Sequence, residues 1–161
     1  MASHAVIQWS EFQQEAILLV EDNEDDVVIM QAAFRKAKIP NRLEIARDGE
    51  EALNYLSGMG KWADRNTYPL PVVILLDLNM PKKGGLEVLD WVRQQTTLRH
   101  VTVQVLTASS REEDVCRAFQ LGANDYLVKP SRIETLVEML KAWQSFTQFK
   151  VFPATPLASK I

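Results

Sequence analysis

Five short apolar runs divide the chain: Ala16-Ile17-Leu18-Leu19-Val20, Leu43-Glu44-Ile45-Ala46, Val72-Val73-Ile74-Leu75-Leu76, Val101 to Thr107, and Tyr126-Leu127-Val128-Lys129. Unbroken runs rich in valine, isoleucine and leucine predict strands buried on both faces, whereas the alternation in 43–46 predicts a strand nearer an edge. In the fourth run the apolar positions are 101, 103 and 105. Between the runs the period changes to that of a helix. Val27, Met30, Phe34 and Ala37 fall on one face, and Pro40 closes that segment from beyond its end. Asp48 and Glu51 have capping-box spacing and open a helix through Leu53 and Leu56. Leu86, Leu89 and Val92 mark a third helix. Ser110-x-x-Glu113 opens a fourth through Val115, Ala118 and Phe119, with Gly122 as its stop. Ser131-x-x-Glu134 opens the last, with Leu136, Leu140 and Trp143 on one side. Strand and helix alternate five times, which predicts an α/β fold: a five-stranded parallel sheet covered on both sides, with right-handed crossovers.

Three segments stand outside this rhythm. Ser57 to Pro71 is a long connection holding Gly58, Gly60, Pro69 and Pro71 with Trp62 and Tyr68, and it is expected to pack on itself as a surface excursion. Residues 1–15 form an N-terminal extension and 150–161 a tail with two prolines, leaving 16–149 as one domain.

Composition narrows the class. Apolar residues make up 47% and charged residues 24% of the 161, as in ordinary globular domains. A net charge of −3 and a pI near 5.4 give no electrostatic case for nucleic-acid binding. The lone Cys116 cannot form an internal disulfide and is expected to be a small core residue. No apolar run approaches the roughly 20 residues that span a bilayer, and 1–15 lacks the pattern of a signal peptide. A cytoplasmic protein with no membrane contact is expected.

The chemistry collects at the carboxyl ends of the strands. Glu21-Asp22 follows the first, Asp77 the third, Thr107 ends the fourth and Lys129 the fifth. In a doubly wound, flavodoxin-like order 2-1-3-4-5 the first and third strands are neighbours, so the three acids converge in one crevice. Three carboxylates held together repel unless protonated or bridged by a cation, and an all-oxygen set suits Mg²⁺. Asp77 is then both a metal ligand and a candidate nucleophile, since carboxylates form aspartyl phosphates. Lys129 offers a positive charge and Thr107 a hydroxyl to a phosphoryl oxygen. Positioning and charge neutralisation are what phosphoryl transfer chiefly needs.

Glu21-Asp22, Asp77-Leu78-Asn79-Met80-Pro81, Leu106-Thr107-Ala108 and Tyr126-Leu127-Val128-Lys129-Pro130 together resemble the CheY-like receiver domain of two-component response regulators. The match covers about residues 16–145. The resemblance implies that Asp77 accepts a phosphoryl group from a phosphohistidine on a sensor histidine kinase. It implies Mg²⁺ held by Glu21, Asp22, Asp77 and the Asn79 backbone carbonyl, with Lys129 paired to the phosphate. It also implies that Thr107 turns toward the phosphate while Tyr126 moves inward, and that the Lys129–Pro130 bond is cis. Glu21 departs from the aspartate of many receivers by one methylene. The enlarged 57–71 connection and Leu75-Leu76-Asp77-Leu78-Asn79-Met80-Pro81-Lys82-Lys83 resemble the small receivers that partner cyanobacterial phytochromes. Without a recognisable output segment, the expected effect passes through a downstream protein.

Two other functions fit the same fold. One is an aspartyl-phosphate hydrolase of the haloacid-dehalogenase type, but that chemistry needs an acid two residues after the nucleophile. Asn79 stands there and cannot serve. The other is a phosphorylation-independent adaptor, against which the complete acid, Thr and Lys set speaks. His100 is expected in surface or loop duty. Trp143, Phe146 and Phe149 form a stripe on the last helix; Phe146 and Phe149 lie past the length the sheet needs and make homodimerisation an open option.

Overall fold

The computed structural model describes residues 15–80 and 83–151, the side chains of 146–151 excepted. The element order is β1 (Ala16–Val20), α1 (Glu24–Lys36), β2 (Arg42–Ala46), α2 (Gly49–Ser57), β3 (Val73–Leu76), α3 (Gly85–Gln94), β4 (Thr102–Thr107), α4 (Glu112–Gln120), β5 (Asp125–Val128) and α5 (Ile133–Val151). All four strand pairings are parallel, in the order β2-β1-β3-β4-β5. The central strands β1 and β3 are buried at every position, as their unbroken apolar runs predict, while β2 and β5 at the edges are mostly half-exposed.

The chain divides into two compact units. One holds all five strands with α2, α3 and α4. Along its strands the side chains alternate, so that Leu18, Val20, Ile74, Leu76 and Val103 meet Ala52, Tyr55 and Leu56 of α2 and Val88, Leu89 and Val92 of α3. The other unit starts at Val28 within α1 and again at Pro130. In it Met30, Ala33 and Phe34 of α1 and Ala37 just past its end are buried, as are Leu136, Val137, Leu140 and Trp143 of α5, at the spacing the sequence shows.

The 57–71 connection is packed on itself, as expected. Helix α2 stops because Gly58 takes φ +69°, a left-handed conformation that a side chain disfavours, and Met59 N–H closes the turn on Asn54 O at 2.9 Å. The chain then folds back through a 3₁₀ turn at Gly60–Trp62. Tyr55, almost wholly buried, donates its hydroxyl to Pro69 O at 2.8 Å and packs edge-on against Tyr68. The Arg65 guanidinium donates to the carbonyls of Tyr55 (2.9 Å), Leu56 (2.8 Å) and Tyr68 (3.2 Å), so it caps α2 with a positive charge at the negative end of the helix.

Four local expectations change. Asp48 caps α2 through Glu51 N–H at 2.8 Å, but the Glu51 carboxylate accepts from Arg47 N–H at 2.6 Å, one residue before the usual partner. Ser110 does not cap α4; Arg111 holds the cap position, and the preceding hydroxyl, Ser109, instead reaches the Asp114 carboxylate. Cys116 is exposed, because it lies two residues, about 200° of helix, from the buried Ala118. No cis peptide occurs among the described residues, so Lys129–Pro130 is trans, the isomer an X–Pro amide itself prefers. Gly122 does end α4, at φ +99°, and His100 is exposed. The Phe146 and Phe149 side chains lie outside the described residues.

Replacing Arg65 by Met should lower the unfolding free energy by about 1–3 kcal/mol, since buried helix-end carbonyls lose a charged donor. Urea denaturation checks this; an unchanged midpoint would show that the excursion does not depend on that cap.

Candidate functional site

Register brings the acids together. Val20 of β1 pairs with Leu76 of β3, so Glu21 and Asp77 leave adjacent strands side by side, and Asp77 N–H donates to Val20 O at 3.1 Å. Lys129 N–H donates to Thr107 O at 2.7 Å and ties the end of β5 to that of β4. The backbone after Asp77 turns tightly against the start of α3. A Cβ on Gly85 would overlap the Asp77 carbonyl and lie 2.7 Å from Leu78 Cα, so only glycine allows this approach.

Asp77 is buried, and its two carboxylate oxygens have different partners. Oδ1 accepts from the Thr107 hydroxyl at 2.7 Å and from Asn79 N–H at 3.3 Å. Oδ2 accepts from the Lys129 ammonium at 3.3 Å. The same ammonium donates to Asp26 Oδ2 at 3.0 Å and to Glu21 Oε2. The other Glu21 oxygen accepts from Asn23 N–H at 3.1 Å. Tyr126 is half-buried against Leu78, Val105 and Ala118, and donates its hydroxyl to Ser109 O at 2.9 Å in the loop after β4.

Charge is out of balance here. Glu21, Asp22 and Asp77 can each turn one oxygen to within 4.8 Å of the others, and Asp26 adds a fourth carboxylate beside the single Lys129. Burial pushes the Glu21 carboxyl up to about 7 even against the pull of Lys129. Burial alone would lower Lys129; the Glu21 hydrogen bond and the Asp77 and Asp26 charges outweigh it and hold the ammonium above its ordinary range. Burial likewise raises the Tyr126 phenol. The donor set fits a hard divalent cation: all oxygen, net negative, with Asp22 exposed on the solvent side.

Glu21, Asp22, Asp77, Thr107 and Lys129, read from the sequence as one constellation, therefore meet in one place, and Asn79 N–H donates to the Asp77 carboxylate. Asp26 was missed. It stands in the acidic run 21–26, where it reads as a first-turn acid of α1, and only the fold brings it to Lys129.

Comparison with known proteins gives a consistent picture. The family model of the response regulator receiver domain matches residues 17–141. Response regulator Rcp1 of Synechocystis is 39% identical over 132 residues, covering 82% of this chain and 88% of that protein. Among solved structures, the phosphorylated cyanobacterial phytochrome response regulator RcpA aligns with a TM-score of 0.75 and 35% identity, over 88% of this chain and 97% of that one. Response regulator RPA3017, from red light signalling in R. palustris, aligns with a TM-score of 0.78 and 37% identity, over 82% and 92%. The Mn(2+)-bound form of Rcp1 aligns at 0.73 and 39%, over 82% and 93%.

Asp22→Asn should weaken Mg²⁺ binding by about tenfold or more, since even outer partners of a metal are worth that much. In metal-free buffer the variant should melt no lower than wild type, because one repelling charge is gone. Thermal melts with and without MgCl₂ read both; an undiminished Mg²⁺ response would remove Asp22 from the site.

Proposed function

The chain belongs to the response regulator receiver domain family, and from that premise we propose that it is a response regulator switched by phosphorylation of Asp77. One observation carries the reading: the Thr107 hydroxyl and the Lys129 ammonium grip opposite oxygens of a buried carboxylate that two further acids flank. The donor is a phosphohistidine of a sensor histidine kinase. An Asp77 oxygen attacks phosphorus, the P–N bond breaks as the O–P bond forms, and the histidine nitrogen leaves with the electron pair and takes up a proton. Mg²⁺, held by Glu21, Asp22, Asp77 and the Asn79 carbonyl, would neutralise charge on the transferring group. Lys129 turns an N–H to a phosphoryl oxygen, and Thr107, already aimed at the carboxylate, follows the added oxygens.

The output is a changed protein surface. Thr107 reports the phosphate, and Tyr126, hydrogen-bonded to the loop that follows Thr107, is the group free to rearrange with it. A phytochrome-type kinase is the favoured partner, supported by the packed 57–71 excursion and by the relatives named as phytochrome response regulators. A cytoplasmic location fits this role; no helix among the described residues is long and apolar enough to cross a membrane. The site promotes its own phosphorylation and dephosphorylation and turns over no separate substrate. Asn79 argues against a hydrolase, because an amide cannot serve as the general acid or base.

Incubation with acetyl phosphate and Mg²⁺ should give a retarded band on a phosphate-affinity gel, absent without Mg²⁺ and absent in Asp77→Asn. An unmodified wild type, or a band that persists in Asp77→Asn, would overturn the assignment. Steady hydrolysis of a small phosphomonoester would instead revive the hydrolase.

A further inference from the structure

The Lys129 ammonium has three N–H bonds, and three carboxylates take them. These partners are not equivalent. Glu21 is 2% exposed, and its second oxygen accepts from Asn23 N–H, so water has no ready access to replace the lysine there. Asp77 holds the longest of the three contacts, 3.3 Å, and it is the group that changes on phosphorylation. Asp26 sits closer, at 3.0 Å, yet its side chain is 41% exposed. Water can replace the ammonium there at low cost. Its place is set by the chain itself: Asn23 Oδ1 accepts from Asp26 N–H at 3.0 Å, which fixes the first turn of α1 under the lysine.

A phosphoryl group on Asp77 puts about 1.5 to 2 negative charges in place of the single carboxylate charge, and its oxygens become the strongest acceptor within reach of Lys129. The ammonium must then give up one of its present partners, and Asp26 is the one that solvent can satisfy. We propose that Asp26 is a positioning residue acting through Lys129: it holds the ammonium in the unphosphorylated state and so restrains phosphorylation of Asp77. This rests on the reading of Asp77 as the phosphoacceptor. Two effects share one sign. Asp26 competes for the cation that the phosphoryl group needs, and its own charge faces the incoming anion. Without it the phosphorylated state forms faster and lasts longer.

The test follows acetyl phosphate labelling and decay at saturating Mg²⁺ for wild type, Asp26→Asn, Asp26→Glu and Glu24→Gln. Glu24 lies on the same turn of α1 but pairs with Arg47, so its replacement removes equal charge without touching Lys129. Asp26→Asn should be labelled about two- to fivefold faster than wild type and lose its label more slowly, the scale of a partly exposed ion pair. Raising the salt to about 0.5 M should shrink the difference, because a partly exposed charge is screened. Asp26→Glu should return to near wild type and Glu24→Gln should match it. Should Asp26→Asn lose its native circular dichroism, Asp26→Ser replaces it in the same comparison. An Asp26→Asn rate equal to or below wild type overturns the proposal while leaving Asp77 as acceptor. So does a Glu24→Gln rate as high as that of Asp26→Asn, which would assign the effect to general charge. If wild type takes no label, the phosphoacceptor reading fails and this one with it.

Discussion

A single ammonium holds the carboxylates of this site in place, and the strand order is what allows it to. Lys129 leaves β5, at one edge of the sheet, yet it reaches acids that follow β1 and β3 near the centre. A four-carbon stem can cover that distance only because β4 ends on Thr107, whose carbonyl fixes the Lys129 backbone. Remove the cation and four carboxylates remain, two of them buried. Breaking a buried ion pair by deleting one partner is costly because the other charge stays desolvated. The site is therefore held by its own imbalance: it has too little positive charge to be at rest, and a divalent cation or a proton on Glu21 completes it.

That imbalance also separates a switch from a catalyst. The groups that touch the Asp77 carboxylate donate hydrogen bonds or positive charge, and the amide of Asn79, two residues on, cannot act as a general acid or base. Thr107 and Lys129 donate to opposite oxygens of Asp77, where the proposed switch would place the phosphoryl oxygens, and Asn79 offers an N–H. On the proposed reading, such a site accepts a phosphoryl group and keeps it for a time, which suits a protein whose output is shape. In the proposed switch Tyr126 gives that shape change a route, since its hydroxyl is tied to the loop immediately after Thr107.

The parts of the fold legible in the sequence are those fixed by burial over short range. The runs 16–20 and 72–76 read as strands buried on both faces because no polar residue interrupts them, and the run 43–46 reads as nearer an edge because Glu44 does. The constellation was legible for a related reason, since an α/β sheet places its chemistry at strand ends. What failed was side-chain choice between near equals. Ser109 and Ser110 are both competent caps, and which one reaches an acid depends on the path of the loop by a single residue. Cys116 looked like a core residue by type, but its angle on α4 faces solvent.

Asp26 is the most informative miss. Five consecutive acid or amide residues after Glu21 look like a solvated helix start, and by composition they are. Helical geometry changes the meaning of one of them. Asn23 caps the turn through Asp26 N–H, and this sets the Asp26 carboxylate toward the site while Glu24 turns to Arg47. A residue whose sequence signal is only helix propensity thus becomes a partner of Lys129, the lysine that also holds Asp77. Nothing in its local sequence distinguishes it from Asp25; the distinction arises from a residue 103 positions away. Long-range pairing of this kind is where local sequence reading ends, and it is also where a receiver can adjust how readily it is phosphorylated without altering the groups that perform the chemistry.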